Sequence, residues 1–112
     1  MQGVCLKFFV SEVQRHGGTL LYEWLLEQAR GMGIAGGTAI RAIAGFGRNG
    51  RLLEESFFEL AAELPVEIEF LVSADQVERL LGLLKAENLR LFYVSMPAEY
   101  GITGGSSGRL KS

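Results

Sequence analysis

Apolar and polar positions alternate from Val4 to Val10, with Val4, Leu6, Phe8 and Val10 on one side and Cys5, Lys7 and Phe9 on the other. A period of two predicts a strand, and Phe9 makes its second side partly apolar as well. Gly17-Gly18 then interrupts the chain. Thr19 stands where an N-cap would open a helix from about Leu20 to Met32. Leu21, Trp24, Leu25, Ala29 and Met32 follow one helical stripe, and Gly31 and Gly33 close it. After Gly36-Gly37 the run Thr38 to Ala44 mixes small and β-branched residues, which suits a closely packed strand.

Residues 52–63 fit either a short helix or a loose strand. Pro65 opens a clear strand, in which Val66, Ile68, Phe70 and Val72 alternate with Glu67 and Glu69. Ser73 and Gln76 form a capping-box pattern before Val77, Leu80, Leu81 and Leu84, spaced i, i+3, i+4, i+7. Asn88 closes that helix, Leu89 to Met96 reads as a last strand, and Pro97 is expected to end it. The order strand, helix, strand, strand, helix, strand predicts an α+β, ferredoxin-like βαββαβ fold. Its four-stranded antiparallel sheet would carry both helices on one face. Residues 1–96 form the expected domain, with 97–112 as a glycine- and serine-rich tail. Apolar residues on both strand faces (Phe9, Ile43, Leu71, and Phe92 or Tyr93) suggest that another subunit covers the second face.

Composition adds limits. The chain has 112 residues, 48% of them hydrophobic and 21% charged, which suits one globular domain. No apolar run is long enough to span a bilayer, and the N-terminal residues do not read as a signal peptide. A single cysteine, Cys5, excludes an internal disulfide framework, and together these features predict the cytoplasm. A net charge of −2 gives no footprint for nucleic acid. Charge is nevertheless uneven. From Gln28 to Leu53 there is no acid but four arginines, Arg30, Arg41, Arg48 and Arg51, and Glu54 to Glu69 then holds six glutamates and no base.

Candidate chemistry gathers at Gly45-Phe46-Gly47-Arg48-Asn49-Gly50-Arg51. Gly45-x-Gly47-x-x-Gly50 spells a dinucleotide fingerprint, but the chain is too short for a doubly wound sheet and lacks the downstream acid in context. What survives is physical: glycines let backbone N–H groups approach an anion, and neighbouring arginines can clamp its oxygens. The plain alternative is a solvated hairpin loop. His16, the only histidine, precedes a predicted helix start and serves better as an anion contact than as a catalyst. The predicted ligand-binding set is therefore His16, Gly17, Arg41, Gly45, Phe46, Gly47, Arg48, Gly50 and Arg51. No catalytic residue is assigned. One histidine and one cysteine make no metal constellation, and Cys5 reads as a small core residue.

The stretches Phe8-Phe9-Val10-Ser11-Glu12, Arg15-His16-Gly17-Gly18-Thr19-Leu20-Leu21-Tyr22-Glu23 and Gly33 through Gly47, extended by Leu64-Pro65-Val66-Glu67-Ile68, resemble the uncharacterised PII-like family of small bacterial and archaeal proteins. The resemblance covers residues 4 to about 96. It implies a ferredoxin-like homotrimer that binds an adenine nucleotide (ATP, ADP or AMP) between subunits. It further implies that the loop after the second strand is presented to a protein target such as a membrane transporter. The chain departs from the PII signal proteins at two places. Asn88-Leu89-Arg90 is too short for their second phosphate loop, and residues 47–63 contain no tyrosine to modify. Two other readings follow: a structural or binding module of metal-tolerance type without nucleotide, and a small enzyme using His16 as acid or base.

Overall fold

The alternation that opens the sequence becomes the central strand of a sheet. The computed structural model describes residues 1–45 and 64–104, and all structural statements concern these. Strand β1 runs from Gln2 to Ser11, followed by a short hairpin of β2 (Arg15–His16) and β3 (Thr19–Leu20) and by helix α1 (Leu21–Gly31). Strand β4 (Gly37–Arg41), β5 (Pro65–Val72), helix α2 (Ala74–Ala86) and β6 (Phe92–Glu99) complete the order. The main sheet runs β4-β5-β1-β6 and each neighbouring pair is antiparallel. This is the expected ferredoxin-like α+β arrangement.

Period two fixes which residues share a face. Leu6, Phe8 and Val10 of β1 and Val66, Ile68, Phe70 and Val72 of β5 are buried, together with Leu21, Leu25 and Ala29 of α1 and Leu80 and Leu84 of α2. The two helical stripes thus close on one sheet face, as the sequence predicts. The register Phe8↔Ile68 and Leu6↔Phe70 holds the core rows level. Gly37 of β4 lies opposite Phe70, where an added Cβ would sit 2.5 Å from a ring carbon, so only glycine lets β4 lie against that ring.

Both helices finish alike. The N–H groups of Gly33 and Ile34 return to Arg30 and Ala29, and those of Asn88 and Leu89 return to Lys85 and Leu84. Gly33 (φ 87°) and Asn88 (φ 62°) take the left-handed conformation that this Schellman closure requires. The capping box at Ser73 and Gln76 is present with both of its hydrogen bonds.

Several expected boundaries move. Thr19 does not cap α1: it pairs with His16 in the hairpin, Leu20 takes the cap position, and the Leu21 N–H is met by the Gln14 carbonyl at 2.7 Å. Strand β4 stops at Arg41 rather than Ala44, and a single hydrogen bond follows its ladder (Ala42 N–H to Pro65 O, 2.9 Å). Pro65 has no N–H to return, so pairing goes no further. Ile43 therefore lies beyond the strand, almost fully exposed, and belongs to neither sheet face. Pro97 does not end β6. The strand starts late, at Phe92, and continues to Glu99 because β6 is an edge strand, where a missing donor is tolerated. No helix among the described residues is long and apolar enough to cross a membrane.

Candidate functional site

The chain direction brings the predicted residues that are described to one end of the sheet, where β1 and β4 finish and β5 and β6 begin. Gly17 (φ 61°) and Gly18 (φ 86°) both occupy the left-handed region, which gives the tight two-residue turn favoured between antiparallel strands. That turn places His16 opposite Thr19, and the Arg15 guanidinium braces it from within by donating to Gly18 O at 2.7 Å. The His16 ring meets Trp24 of α1 edge-on at 4.7 Å between centroids, and its Nε2 lies 2.9 Å from Glu87 Oε1 at the end of α2. One side chain thereby ties the hairpin to both helices.

Arg41 closes β4, and its Nε donates to Glu12 Oε1 at 2.6 Å. Glu12 directly follows β1 and is mostly shielded from solvent, whereas the Arg41 side chain is 61% exposed. The second oxygen of the same carboxylate accepts from the Leu64 N–H at 3.4 Å, and the Glu12 N–H donates to Leu64 O at 3.1 Å. Glu12 thus joins the end of β4 to the approach to β5. Gly45 lies beside Pro65, whose ring would be 3.4 Å from an added Cβ.

His16, Gly17, Arg41 and Gly45 thus share one end of the molecule, with His16 and Arg41 each paired to a carboxylate. Phe46, Gly47, Arg48, Gly50 and Arg51 lie outside the described residues. The acid-free run from Gln28 to Leu53 does not leave its described arginines bare, because folding supplies the acids. Arg30 meets Glu27 at 3.2 Å on its own helix, and Arg41 meets Glu12 from 29 positions away. Sequence reading misses Glu12 and Glu87. The only signal for Glu12 is its place at the end of a predicted strand, and for Glu87 its place just before Asn88.

The opposite sheet face is a separate candidate surface. Leu71, Phe92 and Met96 are each more than two-fifths exposed there, around a polar strip in which Lys7 Nζ lies 3.2 Å from Glu67 and Cys5 Sγ lies 3.4 Å from Glu69. Burial first, then the Glu69 hydrogen bond and charge, push the Cys5 thiol above its ordinary range. An open groove also runs between α1 and β4, with Leu26 and Phe70 on its floor and Glu23 and Arg30 on its rim. It contains none of the predicted ligand residues. Among the described residues there is no cluster of His, Cys, Asp and Glu able to hold a metal ion.

Comparisons with known proteins agree with this architecture. A UPF0166 protein of Aquifex aeolicus (strain VF5) is 32% identical over 97 residues, covering 80% of this chain and 92% of that protein. UPF0166 protein MJ1524 of Methanocaldococcus jannaschii is 32% identical over 79 residues, covering 70% and 72% of the two chains. The crystal structure of a "putative PII-like signaling protein" from Thermus thermophilus superposes with a TM-score of 0.54, covering 88% of this chain and 86% of that one. At 16% identity this last likeness speaks for the fold alone. The family described as DUF190, Uncharacterized ACR, COG1993, matches residues 3–94. With that match spanning most of its length, the chain belongs to the DUF190 family, an uncharacterised PII-like family.

Proposed function

We propose that this chain is a regulator without catalytic activity, a homotrimer that binds an adenine nucleotide or a similar anion between its subunits and reports it to a protein partner. The reading is supported by the chemistry of His16, Gly17, Arg41 and Gly45, of which Arg41 and Gly45 lie at the end of β4 from which residues 46–63 lead to β5. Two of these groups can offer N–H donors from side chains and two are glycines that leave the backbone open, a combination suited to phosphate oxygens. Arg48 and Arg51 follow in sequence and would complete the positive charge. The Thermus neighbour, whose fold this chain shares, is itself described as PII-like and signaling. The exposed apolar residues on the second sheet face support self-association, since such patches mark contact surfaces.

Calorimetry with ATP, ADP and AMP on the wild type and on the Arg48→Ala/Arg51→Ala double variant tests the reading, with sedimentation measured in parallel. The expected result is a trimer that binds at least one nucleotide, with affinity in the double variant lowered by about tenfold or more, the order expected from losing charge-assisted hydrogen bonds. Equal binding by both proteins, or binding of none of the three, would overturn it.

A further inference from the structure

The contact between Glu12 and Arg41 uses only one edge of the guanidinium. The carboxylate accepts from Nε at 2.6 Å, and the terminal nitrogens Nη1 and Nη2 have no partner among the described residues. The Arg41 side chain is 61% exposed and that of Glu12 only 20%. The carboxylate is therefore the fixed member of the pair. It is held from its other side by the Leu64 N–H, and the Glu12 backbone N–H donates to Leu64 O. A free arginine side chain has many rotamers to give up on binding, and a planar fork already held at one edge has fewer left to lose.

We propose that Glu12 is a positioning residue for the anion site: it grips Arg41 through Nε and so presents the Nη1/Nη2 edge as a ready fork for phosphate oxygens. The inference rests on the anion-binding reading above and adds to it a residue of the opposite charge. The sign of its effect separates it from simple electrostatics. A carboxylate beside an anion site should weaken binding by repulsion, so if charge alone mattered, removing Glu12 would tighten it. If Glu12 orients Arg41, removing it loosens the fork, and the preorganisation it supplied is lost.

The experiment titrates inorganic tripolyphosphate and ATP into the wild type, Glu12→Ala, Glu12→Gln, Arg41→Ala and the Glu12→Ala/Arg41→Ala double variant. Heteronuclear relaxation of the Arg41 Nε–H is recorded without added anion. The expected result is an affinity about three- to tenfold weaker in Glu12→Ala, a smaller loss in Glu12→Gln, and no further loss when Glu12→Ala is added to Arg41→Ala. The Nε–H of Arg41 should become more mobile in Glu12→Ala, a readout that general loosening elsewhere would not give and that needs no ligand. Tighter binding by Glu12→Ala would overturn the inference and make Glu12 a competitor. Losses that simply add in the double variant, or an Arg41 Nε–H equally rigid without Glu12, would overturn it too, while leaving the anion-binding reading intact. Binding of neither probe by the wild type would remove both.

Discussion

On the helix face of the sheet Phe8 and Phe70 meet edge to face, 6.4 Å between centroids, and each is about 1% exposed. On the opposite face Phe9 and Phe92 lie 5.7 Å apart, yet Phe92 remains 41% exposed. Alternation places aromatic residues on both sides of β1, so the difference does not come from composition. It comes from topology. Both crossovers of the split βαβ pattern pass the same side of the sheet, so both helices cover one face. The second face then mixes apolar side chains with Lys7, Glu67 and Glu69, which is how a surface looks when it must stay wetted in one chain yet can pack against another. One face thus supplies chain stability, and the other keeps apolar side chains partly exposed.

Matched truncations would break or sharpen this contrast. Phe70→Ala deletes a fully buried ring and should destabilise the chain by about 3–5 kcal/mol in denaturant unfolding. The same deletion in Phe92→Ala removes a ring that is already partly wet and should cost the isolated chain about 1 kcal/mol or less. Equal losses from the two variants would mean that the second face is no less part of the core than the first. If copies associate through it, the Phe92→Ala loss should grow with protein concentration, because oligomer stability follows mass action.

A smaller effect concerns titration of the polar strip. Burial and Glu69 raise the Cys5 thiol above 9.0, and the hydrogen bond and charge of Glu67 raise Lys7 above 10.5. In both cases the folded chain holds its proton more tightly than the unfolded one. Their contribution to stability is therefore fully present below pH 9.0 and lost as pH rises, with Cys5 beginning first. Urea midpoints measured from about pH 7.5 to 10.5 should fall above about pH 9, and Cys5→Ala should delay that fall to the Lys7 range. A wild-type midpoint that stays level throughout would rule the strip out as an alkaline weak point.

Much of the fold can be read from local spacing. The period of two in Val4–Val10 and Val66–Val72, the helical stripes through Leu25 and Leu84, and the Ser73 capping box each rest on residues close in sequence, and each appears where expected. Local signals fail where a competing turn or a strand's place in the sheet decides the outcome. Thr19 has the chemistry of an N-cap, but the two left-handed glycines before it fold it back onto His16. Pro97 reads as a stop, but an edge position makes its missing donor harmless.

The candidate site follows the same division. Sequence alone singles out His16, Gly17, Arg41 and Gly45 as residue types suited to an anion, and it sets the order of elements that carries them to one end of a sheet. Tertiary structure alone assigns the carboxylates, since Glu12 lies 29 positions from Arg41 and Glu87 lies 71 from His16. Periodicity carries burial and backbone pairing because these repeat every two or three to four residues. An ion pair between strand ends has no period, and only the folded chain determines which acid each base will meet.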